Sequence, residues 1–333
     1  GRSLKTIYFG GGTPSILSPS VIEDIIAVSG RIFCLEDGIE ITIEANPDTL
    51  DKRTLEKLRH AWINRISIGV QSLSDKYLKL LGRSHDADRV RRIFKVCRST
   101  GFKNISLDLI YALPDQQINE WLLTVEEAIY LAPEHISIYC LTIDEGTVLY
   151  RRLQNGQIVD SSEEDQIEMY LAAGKHLKKA GYVHYEISNF SLPGKICRHN
   201  MLYWDREEYL GIGAGAHSYI GNMRFCNLDS IEEYINLIDS GCPDNSAEIL
   251  TREDQLTDAI IFGLRKMEGI DLGDVRRRFD VDPLLIFRKE IDTLITQDMI
   301  TISSVKIRLT RKGILLADQV AVEFLSRNNR IVN

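Results

Sequence analysis

The chain has 333 residues, a formal net charge of −8 and a pI near 5.5. At 44% hydrophobic and 26% charged it has the composition of a globular protein with a real core, one large domain plus a smaller one. The acidic balance argues against non-specific nucleic-acid binding as the main task, no apolar run approaches the length of a membrane span, and no charged-then-apolar signal segment opens the chain.

The first 180 residues alternate between two periodicities. Short Ile-, Val- and Tyr-rich runs at 4–9, 39–45, 65–71, 104–111 and 135–143 are predicted as buried strands. Between them the spacing predicts helices over 51–62, 86–100, 117–132 and 162–180. In the first of these Leu55, Leu58 and Trp62 share a face. Asp51 is placed to cap that helix, and Ser18 before Pro19 to cap the preceding one. Strand–helix alternation repeated this often implies a parallel sheet with right-handed crossovers. From 183 the rhythm breaks: VHYEISNF reads as a strand, LPGK as a turn, and EEYLGIGAGAHSYIG as a glycine-rich strand pair. Residues 250–326 read as a small unit of three helical stretches, a hairpin in MITISSVKIRLT and a last helix, a winged-helix-like order. Its Arg276–Arg277–Arg278 run is nearly cancelled by acids in the same unit, so a packing or lid role is expected there and DNA binding is not. The expected domains are therefore 1–182, 183–249 and 250–333. The six cysteines show no zinc or redox spacing. Scattered thiols of this kind imply a reducing, cytoplasmic setting, with Cys34, Cys97 and Cys242 read as core positions.

In a parallel α/β sheet, ligands sit at the carboxyl ends of the strands. Gly10–Gly11–Gly12 occupies that place after the first strand, where bare backbone lets a ligand approach. Thr13–Pro14 follows instead of the Lys-Ser or Lys-Thr of a phosphate loop, and the glycines are contiguous rather than spaced as in a dinucleotide fingerprint. Glu44 and Gln71 end the next two strands, Asp108 interrupts the fourth, and Arg83 follows in LLGRSHD. Any one of these alone reads as a group satisfying loop amides; four at successive strand ends point to a site. Two acids, an amide and an arginine suit a ligand bearing an ammonium, a carboxylate and a ribose, with Arg83 gripping the carboxylate at two points.

GGGTPS, IEANP, SIGVQS, LGRSH and DLIYALP, in this order, resemble the radical S-adenosylmethionine family of oxygen-independent coproporphyrinogen III oxidases and their relatives, over essentially the whole chain. The resemblance implies an α/β fold: a partial (βα)6 barrel, its first strand missing here, with a small winged-helix-like C-terminal unit. It implies that Gly11, Gly12, Thr13 and Glu44 meet the methionine part of S-adenosylmethionine, that Arg83 holds its carboxylate, and that Gln71 and Asp108 hold its ribose. Thr142 and His217 match positions lining the adenosyl pocket; read alone, His217 is a histidine satisfied in a tight turn. In the family a CxxxCxxC loop upstream of GGGTPS holds a 4Fe-4S cluster. No such loop occurs in these residues, so the expectation is a fragment lacking that segment, with no cluster ligands and no radical chemistry of its own.

CRHNMLYWD, residues 197–205, places Cys197, His199 and Met201 close together, and all three side-chain types can ligate heme iron. From composition alone the reading of a loop pinned by Tyr203 and Trp204, with His199 hydrogen-bonded inside it, stays ahead. The pattern HNxxYW is similar to the mark of the HemW branch, regarded as heme chaperones that pass heme to apo-hemoproteins. That resemblance implies heme or porphyrin as ligand, an apo-hemoprotein as partner, and His199 or Cys197 as heme-ligand candidates. Coproporphyrinogen III oxidation is the alternative. Peripheral membrane contact would suit the chaperone, although no basic amphipathic helix demands it.

Overall fold

The computed structural model describes residues 2–241 and 247–325; Cys242 lies outside them. The chain forms two compact units, Gly1–His199 and Asn200–Asn333.

The first unit opens with β1 (Ser3–Phe9), α1 (Pro19–Ile32), β2 (Cys34–Ala45), α2 (Lys52–His60), β3 (Arg65–Gln71), α3 (Asp75–Leu80), α4 (Ala87–Ser99) and β4 (Ile105–Tyr111). It continues with α5 (Ile118–Leu131), β5 (His135–Cys140), α6 (Val148–Gln154), α7 (Glu163–Lys179), β6 (Val183–Glu186), β7 (Asn189–Ser191) and the start of α8 (Arg198–Trp204). The predicted caps are in place: Ser18 Oγ accepts from Val21 N at 3.4 Å and Asp51 Oδ1 from Thr54 N at 2.6 Å. The sheet runs β1-β2-β3-β4-β5-β7-β6, with five parallel strands in sequence order and an antiparallel hairpin on the β5 edge. This is the parallel α/β sheet expected from the alternation, in the half-barrel that the family resemblance implies. The stretch VHYEISNF is a hairpin rather than one strand. Glu186 caps the reversal, accepting from Ser188 N at 3.3 Å and from the Asn189 amide.

Register sorts the strand residues onto two faces. Thr6 lies opposite Glu40, Tyr8 opposite Thr42, Thr42 opposite Arg65, and Glu44 opposite Ser67. The same face continues through Ser67–Ser106–His135 and Gly69–Asp108–Ser137 to Ser191 and Asn189. The opposite face carries Ile41, Ile43, Ile66, Ile68, Val70, Leu107, Leu109, Ile136 and Ile138, all buried. Strand side chains alternate, so a strand that reads as wholly buried has two different surroundings. Its apolar side is covered along with the apolar sides of the helices (Leu55, Leu58, Phe94, Trp121 and Leu177 are all buried), and its polar side lines the concavity.

The second unit takes the rest of α8, then β8 (His217–Ile220), β9 (Met223–Cys226), α9 (Ile231–Asp239) and β10 (Glu248–Ile249), a three-stranded antiparallel sheet with one flanking helix. The glycine-rich stretch 207–221 contributes one strand of this sheet rather than a pair. Asn227 Nδ2 donates to the carbonyls of Gly211 and Gly213 at 3.3 and 2.8 Å, which pins the glycines as a loop, and β8 pairs with β9. Then follow α10 (Arg252–Leu264), β11 (Ile270–Asp271), α11 (Leu272–Phe279), α12 (Pro283–Ile286), α13 (Arg288–Thr296), β12 (Ile300–Ile302), β13 (Lys306–Leu309), α14 (Arg311–Leu315) and α15 (Ala317–Leu325). Sheet order β11-β13-β12 with its hairpin is the winged-helix arrangement. Leu256, Ile260, Phe287, Ile291, Ile307 and Phe324 fill its core. Arg276 pairs with Asp282, while Arg277 and Arg278 pair with Asp274. None of the helices, among the described residues, is long and apolar enough to cross a membrane.

Candidate functional site

The polar face of the half-barrel has two ends. At the carboxyl end of the strands, Glu44 Oε1 accepts from Tyr8 OH at 2.7 Å and Glu44 Oε2 from Gly11 N at 3.3 Å. Gly11 has φ +118°, a conformation side chains rarely adopt, and a Cβ on Gly11 or Gly12 would meet nothing within 4 Å. Bare backbone therefore faces open space beside a carboxylate. Thr13 Oγ1 donates back to Gly12 O at 2.7 Å. Asp108 accepts from Ser67 Oγ at 2.9 and 3.1 Å and from Ser106 Oγ at 3.3 Å. Gln71 closes β3 at φ +65°, and its amide folds back over Gly69, where a Cβ would sit 2.9 Å from Nε2. Gly69 pairs with Asp108, so the Gln71 amide lies over the neighbouring rung of the same face.

Burial raises the Glu44 carboxyl above its ordinary range, partly offset by the Tyr8 hydrogen bond, and burial raises Asp108 in spite of its serine donors. Two such acids gain most from a ligand that brings an ammonium or hydroxyl donors. Glu44, Asp108, Gln71 and the open Gly11–Gly12 backbone thus fit the amino-acid and ribose parts of S-adenosylmethionine. Arg83 is exposed after α3, with its backbone N–H on Leu78 O and its guanidinium in no hydrogen bond or ion pair among the described residues. Thr142 is exposed just beyond β5. His217, exposed at the start of β8 in the second unit, has Nε2 3.4 Å from Cys226 Sγ. Among the described residues no group of three His, Cys, Asp or Glu side chains is arranged to hold a metal ion.

The other end of the face holds the loop of Cys197 and His199. Glu40, 7% exposed, accepts from Cys197 Sγ at 3.6 Å, Arg198 N at 3.2 Å and His199 N at 3.1 Å. Arg198 reaches back to Gly38 O at 3.0 Å and Glu36 at 3.6 Å. The His199 ring stacks on Tyr8 at 4.7 Å and 17°, with Nδ1 2.7 Å from Thr6 Oγ1. Burial, with Arg65 nearby, pushes the His199 imidazole down to about 4. Cys197 is buried at 1% exposure. Both heme-ligand candidates are thus committed to partners within the half-barrel. In the second unit Tyr203 packs edge-on against Tyr209 at 4.6 Å, and Arg265 lies 4.7 Å over the Trp204 ring.

Between the ends sits Arg65, 2% exposed, with Nε unpartnered. Burial works against its charge, but Cys197, Glu40, Tyr8 and Tyr185 outweigh it and raise the guanidinium above its ordinary value. A chain of hydrogen bonds crosses this floor: Cys197 N to Tyr185 OH at 3.4 Å, Tyr185 OH to His135 Nε2 at 2.8 Å, His135 Nδ1 to Ser106 Oγ at 2.8 Å, then Ser106 to Asp108. All donors point one way if His135 is neutral with its proton on Nδ1, and burial does hold its pKa well below the usual value. Sequence reasoning missed Tyr8, Glu40, Arg65, His135 and Tyr185. The signal was the parity of IEITIEA and RISIGVQ, in which polar residues alternate with Ile and Val.

The Radical SAM superfamily model matches residues 1–128, and the HemN C-terminal domain model matches residues 250–316. The protein named heme chaperone HemW in Lactococcus lactis is 36% identical over 324 residues, 97% of this chain and 85% of the relative. This chain belongs to the HemW family of radical SAM proteins. The Bacillus subtilis protein of the same name is 35% identical over 324 residues, 97% of this chain and 86% of the relative. The solved coproporphyrinogen III oxidase HemN of Escherichia coli, a radical SAM enzyme, aligns with a TM-score of 0.83 at 22% identity, covering 97% of this chain and 78% of that one, and shows the shared fold. Family membership implies S-adenosylmethionine and a 4Fe-4S cluster as the cofactors.

Proposed function

We propose that this protein is a heme chaperone: it binds heme and delivers it to apo-hemoproteins, with S-adenosylmethionine held at the Glu44–Asp108 end of the half-barrel. The observation that carries this reading is the identity of about one residue in three, over 97% of the chain, to relatives named heme chaperone HemW. S-adenosylmethionine bound to its cluster supplies the family's radical chemistry. This chain's residues supply binding: Glu44 accepts the ammonium, Gly11 and Gly12 leave room for the methionine part, Arg83 pairs with its carboxylate, and Gln71 and Asp108 accept from ribose hydroxyls. Thr142 and Thr13 complete the adenosyl and methionine contacts of this unit. His199, with Cys197 as the second candidate, ligates heme iron once released from its internal partners.

An anaerobic heme titration followed at the Soret band tests the reading. Saturable binding, with a spectrum altered in His199→Ala or Cys197→Ser and heme recovered in an added apo-hemoprotein, is the expected result. Conversion of coproporphyrinogen III to protoporphyrinogen IX by the cluster-loaded protein, without saturable heme binding, would replace the chaperone by the oxidase.

A further inference from the structure

Tyr8 touches both ends of the polar face. Its hydroxyl donates to Glu44 at 2.7 Å, and its ring is the surface on which His199 stacks. Thr6, two residues earlier on the same face of β1, holds His199 Nδ1. The region around the hydroxyl is crowded: a Cβ on Gly10 would fall 2.8 Å from Tyr8 Cε1 and 3.3 Å from Glu44 Oε1. Both Glu44 oxygens already take an internal donor, Tyr8 OH on one and Gly11 N on the other. A ligand ammonium that binds Glu44 draws on the same carboxylate as these two donors, and of the two the phenol is the one whose release moves a ring under His199.

We propose that Tyr8 is a positioning residue that couples the two ends, so that S-adenosylmethionine at Glu44 frees Tyr8, loosens the His199 ring from its stack and tightens heme binding. This rests on the proposed function: on the chaperone reading for its heme half, and on S-adenosylmethionine at Glu44 for the other. The Tyr185–His135 chain ends on the Cys197 backbone N–H, whereas Tyr8 and Thr6 meet the His199 ring itself. Coupling between binding sites is reciprocal, so heme must tighten S-adenosylmethionine binding by the same factor.

Two measurements on the cluster-loaded protein test this. With histidine ring carbons labelled, His199 is assigned by the loss of its signal in His199→Gln. S-adenosylmethionine should shift the His199 signal in the wild type. In Tyr8→Phe, which keeps the ring and loses the hydroxyl, that response should vanish. In the heme titration, S-adenosylmethionine should lower the heme Kd by a factor on the order of 5 to 150, the usual range of such coupling, and the factor should fall toward one in Tyr8→Phe. A His199 signal unmoved in the wild type, or moved equally in both proteins, overturns the proposal. A His199 response that depends on Tyr8 in a protein that takes up no heme leaves the coupling standing and removes the chaperone reading instead.

Discussion

The winged-helix core, around Ile260, Phe287, Ile291, Ile307 and Phe324, is hydrocarbon, whereas the polar face of the half-barrel buries Arg65, Glu40 and His135 beneath it. Both are well covered, yet only the first is what stability alone would select. Apolar contacts stabilise by being removed from water and need no exact partner. A buried guanidinium or carboxylate costs several kcal/mol unless each charge is answered, so its retention points to a task other than holding the fold together. The difference teaches that the half-barrel gives up some stability to keep a connected polar surface where the winged-helix core keeps an apolar one.

The sharpest way to break this contrast is Glu40→Leu. It removes a carboxylate whose charge supports buried Arg65 and takes the acceptor from the 197–199 loop, and should cost about 3–5 kcal/mol in urea unfolding. Arg65→Met added to it should recover most of that loss while heme binding stays impaired. A double variant no more stable than the single one would mean the floor is structural after all. In the other core, Ile260→Ala at a fully buried position should cost about 3 kcal/mol, with no polar partner able to rescue it.

Acid should separate the two units next. His184 and His199 have pKa values pushed to about 4 by burial against an ordinary 6.5, so the unfolded chain takes up their protons first as pH falls. Their contribution is intact above 6.5 and is lost between 6.5 and 4, each worth ~2 kcal/mol by pH 5. Glu44 and Asp108, raised rather than lowered, bind protons more readily when folded and so oppose part of that loss at lower pH. The second unit contains one histidine, exposed His217. Urea midpoints at pH 7 and pH 5 should therefore show the first unit losing more, and His199→Gln should flatten its profile.

The smallest effects should be equal on both sides. Asp51→Ala removes the cap of α2 and Thr251→Ala half of the α10 capping box, each for about 1 kcal/mol by thermal unfolding.

Much of this was legible in the chain. The parallel sheet followed from strand–helix alternation, and Glu44, Gln71 and Asp108 were marked by standing at strand ends among Ile and Val. Glu40, Arg65 and His135 were not, although they alternate with the same apolar residues. Their meaning depends on partners more than 20 residues away, set by register: Thr42 opposite Arg65, Ser106 opposite His135. His199 meets Thr6 and Tyr8 across more than 190 residues, a closure no local pattern announces. The 183–191 hairpin was hidden because its turn is made by a Glu186 side chain rather than by Gly or Pro.

The two-residue alternation of β2 also limits how such a sheet can evolve. One residue inserted between Glu40 and Glu44 would leave one carboxylate in the concavity and swing the other onto the helix side, exchanging places with an isoleucine. Length change in these strands is therefore forbidden in odd steps. Lineages can lengthen or trim the connections freely, but they can retune the floor and the rim of the half-barrel only by replacing residues in place.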